Sequence, residues 1–173
     1  MPYRSAVLVL TLLALASAPV AGRAAAWDVA KQAVGKATTG KLQKEINRRL
    51  LAEGRRNQCS FKTDTDELAP GCDAKVRRLA NALVDAKRRL NGGGVSNFKF
   101  VVSGHTDSTG SAAHNKELSG RRAAVIEREL VRRGISQSEI ESVGMGSERM
   151  LVKPDDTPAK RAKNRRYEIQ VRL

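Results

Sequence analysis

The chain has 173 residues and a formal net charge of +14 at pH 7, with charged side chains at 29% and aromatic side chains at 3%. This surplus of positive charge suits an anionic partner, such as nucleic acid, lipopolysaccharide, a membrane surface or a cell-wall polymer. Because single-strand nucleic-acid binders rely on aromatic side chains for base stacking, the scarcity of aromatic residues disfavours that class.

The N-terminal residues have the pattern of a secretory signal peptide. Arg4 gives a basic start, residues 6–18 are almost entirely apolar, and residues 24–26 form an A-x-A site that predicts cleavage before Trp27. The apolar run is shorter than the roughly 20 residues that span a bilayer, although a retained signal anchor is the alternative interpretation. No cysteine lies near the predicted cleavage site, so we expect no lipid attachment there. Removal of residues 1–26, which contain two arginines and no acidic residue, lowers the net charge from +14 to +12.

Residues 27–56 predict a basic helical extension in front of the main domain. Leu42, Ile46 and Leu50 recur at i, i+4 and i+8, which makes one apolar stripe on a helix. Basic side chains cover its other faces: Lys36, Lys41, Lys44, Arg48, Arg49, Arg55 and Arg56. Such a helix either packs on the domain as a tether or binds the outer membrane or another envelope protein.

Residues 57–173 predict a single α+β domain of βαβαββ order. Two helices are expected, one after Asp73 that ends before glycines 92–94 and one over residues 112–133. Four strands are expected from alternation and turn signals, at residues 59–62, 98–103, 140–143 and 167–173. This order predicts one mixed sheet with the helices packed on one face.

Cys59 and Cys72 are the two cysteines of the chain. An even number of cysteines in an exported protein predicts a disulfide, and closing a loop of this length stabilises a fold by about 3 kcal/mol. A metal site is the alternative, but it needs two further ligands, and His105 and His114 are the only histidines. We therefore expect no metal and no cofactor.

Asp107 and Arg122 carry the clearest binding chemistry. Asp107 stands where the second predicted strand enters a glycine-bounded turn, and Arg122 lies in the helix that follows. Because a strand–turn–helix unit folds back on itself, both side chains can reach the surface at the end of the strand. A carboxylate accepts from an ammonium and a guanidinium grips a carboxylate in a bidentate fork, so together they form a receptor for a zwitterion. The alternatives are a direct Asp107–Arg122 pair, or Asp107 as a cap of the turn.

The same stretch resembles the OmpA-like C-terminal (peptidoglycan-binding) domain family. The resemblance rests on residues 104–110 (Gly-His-Thr-Asp-Ser-Thr-Gly), Asn115, residues 118–123 (Leu-Ser-Gly-Arg-Arg-Ala), residues 143–146 and residues 164–169. It extends over the predicted domain. It implies a βαβαββ fold and non-covalent binding to peptidoglycan.

The resemblance also implies roles for individual residues. Asp107 and Arg122 match the residues that clasp the free end of meso-diaminopimelate in the stem peptide. Four further residues match positions of the family's pocket: Thr106, Asn115, Leu118 and Arg165. Arg165 precedes the last strand, where it either contacts the wall peptide or braces the loop.

The sequence therefore predicts a periplasmic, cell-wall-associated protein, with the outer membrane as a further candidate location. It would clasp the diaminopimelate end of the stem peptide and tether or organise the cell envelope. The alternative is an exported basic protein that binds lipopolysaccharide, membrane or nucleic acid by charge, with Asp107 and Arg122 only a structural pair. Nucleic acid is not an expected partner, because export separates the protein from it.

Two enzymatic interpretations are weaker. Ser103, His105 and Asp107 alternate along one strand, but neighbouring side chains on a strand do not converge into a catalytic relay. His105, Asp107 and His114 could ligate zinc, but their spacing matches no metal-binding motif. We expect a binding protein and not an enzyme.

Overall fold

A computed structural model describes residues 20–62 and 64–173 of the chain. Its elements are α1 (Val20–Arg56), α2 (Asp73–Gly92), β1 (Lys99–His105), α3 (Ala112–Val131), a 3-10 turn (Gln137–Glu139), β2 (Ile140–Gly144), α4 (Pro158–Asn164) and β3 (Arg166–Arg172). The chain divides into two compact units, one ending at Ala37 and the other covering Thr38–Leu173. Residues 1–19 of the predicted signal peptide lie outside the described residues, and the remainder of that segment belongs to α1.

The three strands form one mixed sheet in the order β2–β1–β3. β1 pairs in parallel with β2, where Phe100 lies opposite Ile140, and antiparallel with β3, where Val102 lies opposite Ile169. The prediction of an α+β domain with a mixed sheet is confirmed, as are the three later strands to within a few residues at each end.

The predicted first strand, residues 59–62, does not join this sheet. Phe61 makes a single bridge to Leu68, and the segment closes on itself through Ala69 N donating to Ser60 O at 2.9 Å. Side-chain amides occupy the place beside β3 instead. Gln43 and Asn47 form hydrogen bonds with the backbone of Val171, and Gln58 forms them with the backbone of Tyr167. These amides satisfy the backbone groups of Val171 and Tyr167, so they cover part of this edge in place of a fourth strand.

A single hydrophobic core joins the sheet to the helices. Phe100 and Val102 of β1 and Leu83 of α2 are fully buried within it, together with Ile126 of α3. The apolar stripe predicted on α1 is confirmed, since its residues Ile46 and Leu50 are buried in the same core and Leu42 packs against it. This part of α1, within residues 38–56, therefore belongs to the domain core.

Helix α3 crosses the sheet in direct contact with two paired glycines. Gly104 of β1 lies opposite Gly144 of β2 in the parallel register. A Cβ atom at Gly104 would overlap the backbone carbonyl of Ser119, and one at Gly144 would lie 2.6 Å from the backbone nitrogen of Gly120. Only glycine allows the helix backbone to approach the strands this closely.

Gly120 itself offers room for a side chain. A Cβ built there would lie 3.7 Å from Gly144 N, an ordinary van der Waals distance. Since glycine inside a helix is less favourable than alanine by about 1 kcal/mol, Gly120→Ala should raise the free energy of unfolding by up to that amount. Urea denaturation followed by circular dichroism measures the change. A loss of stability would mean that α3 lies closer to β2 than the structure has it.

Both cysteines are buried and both carry free thiols. Cys59 Sγ lies 3.9 Å from the carbonyl oxygen of Cys72, and burial together with the neighbouring Cys72 raises the pKa of the Cys59 thiol to about 12. The predicted disulfide is therefore not formed in the structure, and the pairing stays a prediction for oxidising conditions.

Candidate functional site

The candidate site opens where the parallel strands β1 and β2 end at the same edge of the sheet. Backbone hydrogen bonds join the two chain segments there, from Met145 N to Gly104 O at 2.8 Å and from Thr106 N to Gly146 O at 2.9 Å. The following turn leads into α3, whose first turn is capped by Ser111 Oγ. A cleft of about 1040 Å³ lies at this edge.

All six predicted site residues line this one cleft: Thr106, Asp107, Asn115, Leu118, Arg122 and Arg165. They come from the turn after β1, from α3 and from the residue between α4 and β3. The structure thus brings together side chains that are as much as 59 positions apart in the sequence.

Asp107 is buried and its carboxylate has two partners. Oδ1 accepts from the backbone N–H of Thr109 at 3.0 Å, and Oδ2 accepts from Arg165 Nη1 at 2.7 Å. Asp107 therefore both stabilises its own turn, as one of the alternatives proposed, and forms an ion pair with Arg165. The other alternative, a direct pair with Arg122, is not what the structure has.

Arg122 is held by groups from the segment before α2. Nε donates to Thr65 O at 2.8 Å and Nη2 donates to Lys62 O at 3.3 Å. The guanidinium carbon lies 5.1 Å from the centre of the Phe61 ring, a cation–π geometry. Burial lowers the pKa of Arg122, with Asp64 acting in the opposite direction. The guanidinium is thus fixed in the cleft wall, and it forms no salt bridge with a carboxylate of the described residues.

Thr106, Asn115 and Leu118 form the inner part of the cleft, and all three are buried. Asn115 Nδ2 donates to Thr109 O at 2.9 Å, which braces the turn that carries Asp107. Among the described residues, none forms a hydrogen bond with Thr106 Oγ1. A buried hydroxyl without a partner is costly and is often explained by a ligand or an ordered water.

Asp155 lies outside the cleft lining and holds the turn that carries Asp107. It was not identified from the sequence. Its carboxylate accepts from the backbone N–H and the hydroxyl of Ser108 and from Asn164 Nδ2 at 3.0 Å. The Ser108 bonds, with help from Asn164, lower the pKa of Asp155 to about 2. Its main partner, Ser108, lies 47 positions away in the sequence, so no local pattern marked Asp155. Asn164, nine positions away, lies within the family stretch of residues 164–169.

His105 does not form the relay required of a catalytic base. It is buried, and within residues 20–62 and 64–173 neither ring nitrogen has a hydrogen-bond partner. Burial, with a contribution from Arg166, lowers its pKa to about 4, so the ring is neutral at pH 7. His114 instead pairs with Asp64 at 2.8 Å on the cleft rim. No group of three His, Cys, Asp or Glu in the described part of the chain could hold a metal ion.

The cleft is lined by more positive than negative side chains. Its cations are Arg55, Arg122, Arg161, Lys163, Arg165 and Arg166, and its carboxylates are Asp64 and Asp107. The arrangement can bind a ligand that is largely anionic and carries one ammonium group beside Asp107.

None of the described helices has a stretch long and apolar enough to cross a membrane.

Solved structures define the class of this fold. The peptidoglycan-associated lipoprotein from Burkholderia pseudomallei is similar with a TM-score of 0.52 and 21% identity, over 65% of this chain and 86% of that one. The periplasmic domain of Helicobacter pylori MotB is similar with a TM-score of 0.53 and 22% identity, over 64% of this chain and 68% of that one. The fold is thus that of the α+β domains of these two proteins.

The chain belongs to the OmpA family, whose model matches residues 60–165, more than half of the chain. The resemblance found in the sequence is thereby confirmed. The peptidoglycan-associated lipoprotein of Pseudomonas aeruginosa is 33% identical over 110 residues, which are 64% of this chain and 59% of that protein. The peptidoglycan-binding protein ArfA of Mycobacterium tuberculosis is 42% identical over 73 residues, which are 42% of this chain and 22% of that protein. The chain spans less than two thirds of the length of these relatives.

Proposed function

We propose that the cleft binds peptidoglycan non-covalently, by clasping the free zwitterionic end of diaminopimelate in the stem peptide. In this proposal Asp107 accepts from the ammonium group and Arg122 grips the carboxylate. The observation that carries the proposal is that Asp107 and Arg122 line one cleft without being paired to each other. Each is held in place by other groups and still faces the same space.

Both groups keep the hydrogen-bonding capacity that the ligand needs. A guanidinium has five N–H donors, and Arg122 uses one at Thr65 O and one at Lys62 O. A carboxylate has about four acceptor sites, and Asp107 uses one on each oxygen. The ammonium can therefore join Asp107 beside Arg165. Thr106 Oγ1, which lacks a partner among the described residues, adds one further polar contact.

The names of the relatives support the same partner, since they are described as peptidoglycan-binding or peptidoglycan-associated. We infer a protein of the periplasm that is attached to the cell wall, with residues 1–26 as its signal peptide. Its binding domain is residues 38–173, which adds the helical segment 38–56 to the predicted domain of residues 57–173. Binding without cleavage would tether or organise the envelope. A Cys59–Cys72 disulfide would form after export.

The test is co-sedimentation of the protein with purified peptidoglycan, comparing wild type with Asp107→Asn and Arg122→Lys. Asp107→Asn keeps the size of the side chain and removes its negative charge. Arg122→Lys keeps the positive charge and removes the bidentate guanidinium fork. A charge-assisted hydrogen bond contributes about 1.5–3 kcal/mol, so each variant should bind about 10- to 100-fold more weakly. Arg121→Ala is the matched control, because Arg121 is the neighbouring cation of α3 and its salt-bridge partner in the described part of the chain is Glu117.

A second polymer separates the pocket from general charge attraction. In lysine-type peptidoglycan the stem residue lacks the second carboxylate, so Arg122 would have no group to grip and wild type should bind weakly. If both polymers bind wild type and the variants equally and salt releases them, the interaction is the charge-driven alternative. The assignment of Asp107 and Arg122 would then be wrong.

A further inference from the structure

A second cationic surface lies on α1, within residues 38–56 and away from the predicted ligand groups. Lys41, Lys44 and Arg48 follow one another at i, i+3 and i+7, which puts them on one side of the helix. All three are exposed, and within residues 20–62 and 64–173 none has a carboxylate or hydrogen-bond partner. We call these three residues the basic face.

An arginine-lined groove adjoins the basic face. It lies between α1 and α2, has a volume of about 1010 Å³, and Arg48 lines it as well. Its other guanidiniums are Arg49, Arg56, Arg78, Arg88 and Arg89, against the carboxylates Glu53 and Asp85. The ion pairs in and beside this groove join exposed arginines to exposed or half-exposed carboxylates, and such pairs stabilise a fold by at most about 1 kcal/mol. These guanidiniums can therefore exchange their partners for a stronger anion.

The cations are held on a rigid support. On the opposite side of α1, Ile46 and Leu50 are buried in the core, and Asn47 exchanges hydrogen bonds with both backbone groups of Val171. The helix cannot turn or lift without breaking these contacts. The basic face therefore points away from the domain at a fixed angle.

The chemistry of this surface favours phosphate groups over an acidic protein. A guanidinium fork matches phosphate oxygens bidentately, and ammonium groups bind them as point charges. Protein interfaces combine arginine anchors with buried aromatic ones. This surface supplies arginines alone, since the large exposed apolar side chains of the described chain are Val29, Val143, Leu151 and Leu173, all outside residues 38–56. Because residues 38–56 expose no large apolar side chain, the surface is suited to contact lipid headgroups without insertion into the acyl layer.

We propose that the basic face and the adjoining groove dock on the phosphate headgroups of an anionic lipid bilayer. A bilayer presents many phosphates in one plane, so it can neutralise the dispersed cations of α1 and α2 at the same time. The site is separate from the cleft, so the protein could hold a lipid surface and another ligand together. The proposal does not depend on the identity of the ligand in the cleft.

The experiment is co-sedimentation of the full chain with vesicles of phosphatidylglycerol and phosphatidylcholine, or of phosphatidylcholine alone. Each cation near an anionic surface contributes about fivefold in affinity, so the triple variant Lys41→Gln, Lys44→Gln, Arg48→Gln should bind anionic vesicles about 100-fold more weakly. Three exposed cations elsewhere supply the control of equal charge: Arg128→Gln, Arg149→Gln and Lys153→Gln. This control triple should lose less than about fivefold.

The outcomes decide the proposal directly. Equal losses in the two triple variants would mean that net charge alone drives binding, and the docking surface would be rejected. Equal binding of wild type to neutral vesicles, or no binding to anionic ones, would reject it as well. Because all variants share the same N-terminal residues, their differences report only on the substituted positions. The basic-face variant should still sediment with peptidoglycan like wild type, so a failure of one site is distinguishable from a failure of the other.

Discussion

Gly104→Ala should lower the free energy of unfolding by about 3 kcal/mol or more. This is the upper end of the losses that extra methyl groups cause in well-packed cores. The new methyl group would overlap the carbonyl oxygen of Ser119 and lie 2.9 Å from its carbonyl carbon. Both are backbone atoms of α3, which cannot move aside as a flexible side chain could. Urea denaturation measures the loss.

The same substitution should also weaken ligand binding in the fraction that stays folded. A shift of α3 away from β1 moves Arg122, which projects from this helix into the cleft, while Asp107 stays with the strand. Gly120→Ala is the matched control, because it adds the same methyl group to the same contact region from the helix side. If Gly104→Ala unfolds at the same urea concentration as wild type, the close contact of α3 with β1 is not required for stability.

Asp155→Asn should flatten the acid dependence of stability and weaken ligand binding on the order of tenfold. The Ser108 hydroxyl and backbone N–H, with Asn164, hold the pKa of Asp155 at about 2, below its usual 3.8. A carboxyl group with a lowered pKa stabilises the fold fully above its usual pKa. That contribution is lost as the pH falls from 3.8 through about 2. The amide variant lacks this contribution at every pH, so the two proteins should converge in stability toward pH 2.

Urea denaturation from pH 7 to pH 2 tests this expectation. His105 affects the free energy of unfolding at higher pH, because burial lowers its pKa from 6.5 to about 4. As the pH falls from 6.5 to about 4, the stability of both proteins therefore declines. The difference between wild type and Asp155→Asn should therefore stay constant down to about pH 4 and shrink below it. If the free energies of unfolding of wild type and Asp155→Asn differ by the same amount from pH 7 to pH 2, Asp155 is not the titrating group. Asp156→Asn is the control, since Asp156 is an exposed neighbour whose salt-bridge partner among the described residues is Lys160.

The binding prediction connects to Asp155 through the turn that carries Asp107. Ser108 follows Asp107 directly, and both hydrogen bonds of Ser108 to Asp155 fix that turn against the loop before α4. Asp155 lies outside the side chains that line the cleft. A loss of binding in Asp155→Asn with an unchanged fold would therefore indicate that it positions Asp107.

Local sequence patterns were sufficient for most of the fold. The alternation around Phe100 and Ile169 predicted β1 and β3, and the spacing of Ile46 and Leu50 predicted the buried face of α1. These patterns work because side-chain direction repeats every two residues in a strand and every 3.6 in a helix. The predicted strand at residues 59–62 was wrong, because whether a short polar-flanked segment pairs with a sheet depends on what already covers the edge.

The site divides in the same way between sequence and tertiary structure. The sequence by itself determined that Asp107 follows a central strand and that Arg122 follows on the next helix, since the order of elements fixes which chain segments meet at a sheet edge. Only the tertiary structure decided that Asp107 pairs with Arg165 and that the carbonyls of Lys62 and Thr65 hold Arg122. These contacts join residues 57 to 60 positions apart, and their geometry depends on packing through the core, which no local periodicity encodes.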